Sequence, residues 1–156
     1  MPTTVPVFRD LEFGEIEALL RENIYGRLAF TFRDRVDIEP IHYVYQDGWL
    51  ICRTGPGTKV TQLSHHPWVA FEIDDVRGPF DWRSVVVKGT VYFIAPDGTP
   101  MHDEQWKASV AALRRLVPTA FTPDDPTPGR HVVFRIHIDE MHGRAAATVP
   151  PTAPNA

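Results

Sequence analysis

The stretch Ile41-His42-Tyr43-Val44-Tyr45-Gln46-Asp47-Gly48-Trp49-Leu50-Ile51-Cys52-Arg53-Thr54 decides the fold. Two runs rich in β-branched and aromatic residues flank Asp47-Gly48, a pair that tolerates positive φ at both positions and so favours a two-residue hairpin turn. The first run reaches back to about Val36, and the second ends at Thr54. Two antiparallel strands are expected there. Just upstream, Leu28, Phe30 and Phe32 alternate with Arg27, Thr31 and Arg33, the period-two pattern of a half-buried strand from Gly26. No helical segment separates these three strands, which argues for an antiparallel sheet rather than a doubly wound parallel one.

Working outward, Leu11, Ile16, Leu19, Leu20 and Ile24 fall at helical spacing over residues 11–25, with Asp10 placed to cap the start and Gly26 the end. Downstream, Gly55-Pro56-Gly57 breaks the pattern, and Thr58 can cap a short helix that stops before Pro67. Trp68 to Ile73 reads as a strand, and Asp74 to Asp81 as a loop. Trp82 to Ala95 reads as a long strand in which Gly89 marks a bulge or a close backbone approach. A second amphipathic helix over 101–117 carries Trp106, Val110 and Leu113. A proline-punctuated connection then leads to a last strand from His131 to Ile138. Pro40 inside a strand implies a sheet edge or a bulge. The sum is about six strands and two or three helices, a mainly β chain with peripheral helices. One domain is expected over residues 1–144, followed by a disordered Pro/Ala-rich tail over 145–156 that has little to bury.

Composition narrows the function classes. With 16 basic and 20 acidic residues in 156, the net charge is −4, and neither half of the chain is basic enough for a nucleic-acid footprint. The single cysteine, Cys52, excludes an internal disulfide and any multi-thiolate metal site. The start, Met1-Pro-Thr-Thr-Val-Pro-Val, lacks the basic and apolar regions of a signal peptide. No run approaches the ~18 apolar residues of a membrane span. A cytoplasmic protein without a membrane or nucleic-acid partner is expected. None of the seven histidines falls into a recognised ligand spacing, so no metal is expected. No Gly-x-Ser-x-Gly elbow is present, and Cys52 lies inside a strand where packing is the commoner role.

Two segments could hold chemistry. In Arg53-Thr54-Gly55-Pro56-Gly57-Thr58-Lys59 a strand ends, a glycine turn exposes backbone N–H groups and a helix begins. Helix N-terminal amides lack internal partners and favour phosphate, and Arg53, Thr54, Thr58 and Lys59 could complete such a site. The spacing is not a P-loop, and a surface turn with solvated charges remains the plainer alternative. In Trp82-Arg83-Ser84-Val85-Val86-Val87-Lys88-Gly89, Trp82, Ser84, Val86 and Lys88 share one strand face. That face could line a cofactor or simply be solvated. His42 reads more readily as a hydrogen-bonded barrel histidine than as a ligand, yet it is the best candidate for haem ligation.

Taken in order, Gly26-Arg-Leu-Ala-Phe, Pro40-Ile-His-Tyr-Val-Tyr-Gln-Asp-Gly-Trp-Leu, Thr54-x4-Lys59, Leu63-x3-Pro67-x-Val69 and Arg83-Ser-Val-Val-Val-Lys-Gly89 resemble the pyridoxamine 5′-phosphate oxidase-like, FMN-binding split-barrel family. The resemblance is closest to its branch related to nitroimidazole-resistance proteins and spans residues 10–143. It implies a six-stranded antiparallel split β-barrel and a homodimer with FMN at the subunit interface. By the same resemblance Arg53, Thr54 and Lys59 would hold the flavin phosphate. Arg83 and Ser84 would contact phosphate or ring, and His42 and Trp82 would line the pocket. An FMN-dependent oxidoreductase is implied, passing electrons from a nicotinamide donor, NAD(P)H, to a small acceptor. Relatives that bind haem or a deazaflavin supply the alternative. The Arg-Pro-Pro-x-x-Trp-x-Gly motif of the true oxidases is absent, so pyridoxal phosphate synthesis is not implied.

Overall fold

The computed structural model describes residues 3–152. Its elements are β1 (Val5–Asp10), α1 (Phe13–Glu22), β2 (Tyr25–Phe32), β3 (Arg35–His42), β4 (Val44–Gln46), β5 (Trp49–Thr54), α2 (Thr58–His65), β6 (Trp68–Gly78), β7 (Asp81–Ile94), α3 (Pro100–Leu113) and β8 (Val132–Val149). The strands form one eight-stranded sheet, antiparallel throughout, in the order β3-β2-β6-β7-β8-β5-β4, with β1 paired to β8. The Asp47-Gly48 turn forms as its residues demand. Its φ values are 52° and 79°, and Gln46 pairs with Trp49 across it.

The count of six strands is corrected to eight, and both additions have a physical cause. The first is β1, whose residues are all exposed, so no buried alternation betrays it in the sequence. The second comes from breaking the expected strand over 36–46 at Tyr43, which separates β3 from β4. Those two strands sit at opposite ends of the sheet order, yet only Tyr43 lies between them. The sheet must therefore curl until its ends meet, without a hydrogen-bonded ladder joining them. That geometry is a split barrel. Tyr43 is fully buried at the split, donates its hydroxyl to the Leu20 carbonyl at 2.8 Å and packs edge-on to Phe71.

Inside the barrel, Leu28, Phe30, Leu50, Phe71, Val85, Val87, Phe134 and Ile136 form the main core, joined by Leu19 and Leu20 of α1. A smaller core on the outer side packs Ala112 and Leu113 of α3 onto Val44, Ile51, Ile94 and Val133. Pro40 lies on β3, an edge strand, as its missing N–H requires. Gly89 sits at a register shift between β7 and β8, and a Cβ there would come within 2.5 Å of Ile136 Cγ2.

Several boundaries move. The expected loop over 74–81 is mostly strand, because β6 runs to Gly78 and pairs with the start of β7. Asp10 does not cap α1; it pairs with Arg144 at 2.8 Å, while Glu15 accepts from the Glu12 N–H at 2.9 Å. Gly26 does not end that helix but lies in β2, where a Cβ would meet the Phe71 ring at 2.5 Å. Gly57, not Thr58, is the N-cap of α2. The domain boundary at 144 falls within β8, so the expected tail begins too early. Ala145, Ala146 and Ala147 pair with Arg9, Phe8 and Val7 of β1, and small side chains let this crowded ladder close with Ala145 and Ala146 buried. The rest of that tail, residues 153–156, lies outside the described residues.

Candidate functional site

A cavity of about 530 Å³ opens at the barrel rim. The ends of β3 and β5, the first turn of α2, the turn after α3 and the loop before β8 converge on it. Its polar lining includes His42, Arg53, Thr54, Lys59, Thr127 and Arg130, and its apolar lining includes Ile24, Ile41, Leu113, Leu116 and Val117. The volume falls within the ~300–1,000 Å³ range of small-molecule sites, and a mainly apolar wall with a few convergent polar groups is their usual chemistry.

Of the eight residues proposed from the sequence, His42, Arg53, Thr54 and Lys59 meet here. The Lys59 Nζ lies 3.5 Å from Thr54 Oγ1 and forms an ion pair with Glu39, a half-exposed carboxylate. Helix α2 starts from Gly57, which has no side chain to cap the first amides, so the helix end keeps its affinity for an anion. The His42 Nδ1 lies 3.2 Å from the Ile24 carbonyl oxygen. A carbonyl can only accept, so Nδ1 is the donor in this contact.

Arg53 needs a correction. Its guanidinium donates to both carboxylate oxygens of Asp125, at 2.7 and 3.2 Å, and to Thr127 Oγ1 at 2.9 Å. Both partners are buried, with side chains 9% and 3% exposed. The Arg53 hydrogen bond, followed by the Phe121 N–H, holds the Asp125 carboxyl well below the usual carboxylate range. Arg53 therefore fastens the 121–127 loop against the end of β5, and little of its charge is left for a ligand. Thr58 is the first residue of α2 but does not line the cavity.

Nor do Trp82, Arg83 and Ser84 line it. On β7, Val85 and Val87 turn into the barrel, so Ser84, Val86 and Lys88 take the opposite face. Trp82 packs on Phe8 with ring centroids 6.3 Å apart, and its indole N–H donates to the Pro79 carbonyl at 3.1 Å. Arg83 pairs with Asp75 at 3.2 Å, and Ser84 sits in register between Asp74 and Arg144. Within one chain the two sequence segments do not form one site.

Sequence reading missed the opposite wall: Arg130, Thr127, and the Leu113, Leu116 and Val117 group after α3. Only the turn chemistry of Thr-Pro-Asp-Asp-Pro-Thr-Pro-Gly hinted at an ordered loop. Nothing in linear spacing ties Asp125 to Arg53, 72 residues away. Cys52 is fully buried, and burial pushes its thiol well above the ordinary range, which removes it as a nucleophile. Among the described residues, no helix is long and apolar enough to cross a membrane.

An antiparallel barrel left open between two strands, with a part-cationic, part-apolar cavity at its rim, defines a split-barrel ligand-binding fold. The chain belongs to the pyridoxamine 5′-phosphate oxidase family, whose model matches residues 12–145. It is 30% identical over 140 residues to an uncharacterized protein of Rhizobium meliloti, covering 85% of this chain and 91% of that one. A FAD-binding protein of Mesorhizobium loti is similar at a TM-score of 0.72 and 29% identity, covering 90% of this chain and 99% of that one. The FAD-binding protein of Mycobacterium smegmatis shares the fold at a TM-score of 0.60 and 23% identity, covering 88% and 99% of the two chains.

Proposed function

We propose that the protein is a flavin-binding oxidoreductase whose cofactor, FMN or FAD, sits in the rim cavity. One observation carries this reading: Lys59, Thr54 and the uncapped end of α2 face the same space as the apolar wall of Ile41, Leu113, Leu116 and Val117. A flavin needs that combination, an anion cradle joined to a slot for a flat apolar ring. When bound, it supplies reversible two-electron chemistry between a nicotinamide donor and a small acceptor such as a nitro compound or a quinone.

The chain's own residues bind, orient and shield. Lys59 and the α2 amides hold the phosphate, with Arg130 adding charge from the opposite wall. Leu113, Leu116 and Val117 keep water from one side of the ring. His42, fixed by the Ile24 carbonyl, presents its imidazole to the pocket. Arg83 and Ser84 line no part of the cavity in their own chain, so a part for them at the flavin rests on a second copy completing the site.

The absorption spectrum of the protein as purified, with mass analysis of any released ligand, tests this reading. Absorbance near the flavin bands and a released FMN or FAD are expected. Colourless protein, unchanged on titration with either flavin, defeats it. The protonated Nδ1 of His42 also favours a second reading, since an imidazole fixed in this way keeps Nε2 for a haem iron. A Soret band that disappears in His42→Ala would select that one instead.

A further inference from the structure

A second cavity, of about 360 Å³, lies on the outer face of the sheet beneath the first half of α3. Arg135 of β8, Trp49 of β5 and Tyr92 of β7 form its floor, and His102 and Gln105 of α3 stand over it. The Arg135 Cζ lies 4.1 Å from the centre of the Trp49 ring, so its guanidinium is stacked on the indole. Trp49 and Tyr92 meet edge to face at 5.8 Å, forming an apolar corner beside that cation.

The arginine is where the site is incomplete. Its Nε is buried and has no hydrogen-bond partner, and among the described residues no carboxylate pairs with it. Asp97, the acid near His102, is already engaged: it accepts from the Thr99 N–H and hydroxyl and bonds His102 Nδ1 at 2.5 Å. Burial alone shifts the guanidinium, downward, with no neighbouring acid offsetting it. A half-buried cation without a counterion is costly, so the arrangement is one that an anion would complete.

We propose that this outer cavity binds a small planar carboxylate. The Nε is covered by the protein, and the two terminal NH2 groups, which no acceptor among the described residues engages, take the carboxylate through paired N–H donors, a geometry that arginine offers and lysine does not. The flat body of the ligand fills the corner between Trp49 and Tyr92, and the Gln105 amide bonds its polar rim. Arg53 shows the contrast: it reaches the rim cavity with its counterion built in, whereas Arg135 faces this cavity without one. This proposal does not depend on the flavin reading.

Sodium benzoate is the probe, titrated into the full-length protein and followed by nitrogen-edited NMR at the Trp49 indole N–H, the Gln105 amide and the Arg135 Nε–H. Saturable shifts at all three are expected. Arg135→Met keeps the apolar stem and should weaken binding by at least about tenfold, the usual worth of a hydrogen bond to a charged group. Gln105→Ala, a change at the helix surface, should weaken it severalfold and guards against a folding defect in the first variant. Lys59→Met should bind benzoate like the parent, whatever it does to a flavin. Several outcomes overturn the site: unchanged affinity in Arg135→Met, shifts centred on Thr54 and Lys59, or inorganic phosphate binding as tightly as benzoate. A change of oligomeric state in Arg135→Met would also overturn it, by making a partner's carboxylate the counterion.

Discussion

Two cations at the rim cavity, Arg53 and Lys59, look alike in sequence and differ in what they can do. Arg53 is held by a buried carboxylate, and Lys59 by the half-exposed Glu39. A pair with one half-exposed partner contributes about 1 kcal/mol, so an incoming phosphate can displace Glu39. Lys59→Met should therefore weaken flavin binding about tenfold or more, and Glu39→Gln should strengthen it up to about fivefold, both read from flavin fluorescence titrations. The Asp125 carboxyl leads to a different expectation. Its folded-state pKa is depressed, so the stability it provides is complete above the unfolded value of about 3.9 and is lost as pH falls through the lower folded value. Thermal melts of Asp125→Asn should lie below the parent by a constant gap from about pH 5 to 7, and the gap should close as pH falls below about 4. A gap independent of pH would mean that the carboxylate's charge contributes nothing. Arg53 was legible as a site residue only by its position at a strand end. Its engagement was not, because a pairing across the fold leaves no mark in local spacing.

At the scale of elements, the legible signals were those with a local cause. The Asp47-Gly48 hairpin, the alternation on β7 and the break at Gly89 each follow from dihedral freedom or from period two, and each is where the sequence puts it. Strand β1 and the end of β8 were not legible, because β1 has no buried face and the end of β8 buries only the small residues Gly143, Ala145 and Ala146, whose partners on β1 and β7 lie far off in sequence. The same distinction sorts the glycines. A Cβ on Gly89 would press on the Ile136 side chain and the His137 carbonyl, both parts of a ladder that cannot move alone. Gly89→Ala should destabilise the fold by about 3 kcal/mol. Gly14, by contrast, lies in the first turn of α1 with nothing within 4 Å of a Cβ. Gly14→Ala should stabilise by up to about 1 kcal/mol, since alanine loses less backbone freedom in a helix. Urea midpoints for the two variants check both signs.

At the scale of the whole molecule, the outer face over β3, β2 and β6 is unusually apolar for a surface. Val36, Ile38 and Trp68 are 73%, 67% and 70% exposed. Register places Ile38 beside Ala29, and Ala29 beside Ala70, so the patch continues across three strands. Residues two apart on a strand share a face, and the row of Val36 and Ile38 runs on through Pro40 to His42, at the edge of the rim cavity. A second copy seated on this face would therefore border the rim cavity and could supply the wall that one chain leaves open. A twofold contact needs one self-complementary patch, and this face offers apolar area near a basic Lys88 and an acidic Asp139. We expect light scattering to show a dimer at micromolar concentration. Ile38→Asp combined with Trp68→Glu should yield a folded monomer, since both side chains point away from the core. If the flavin pocket is shared, that monomer should also lose most of its flavin, although Thr54 and Lys59 are untouched. A folded monomer that keeps its flavin would confine the site to one chain, and a parent protein that is monomeric would remove the shared pocket altogether.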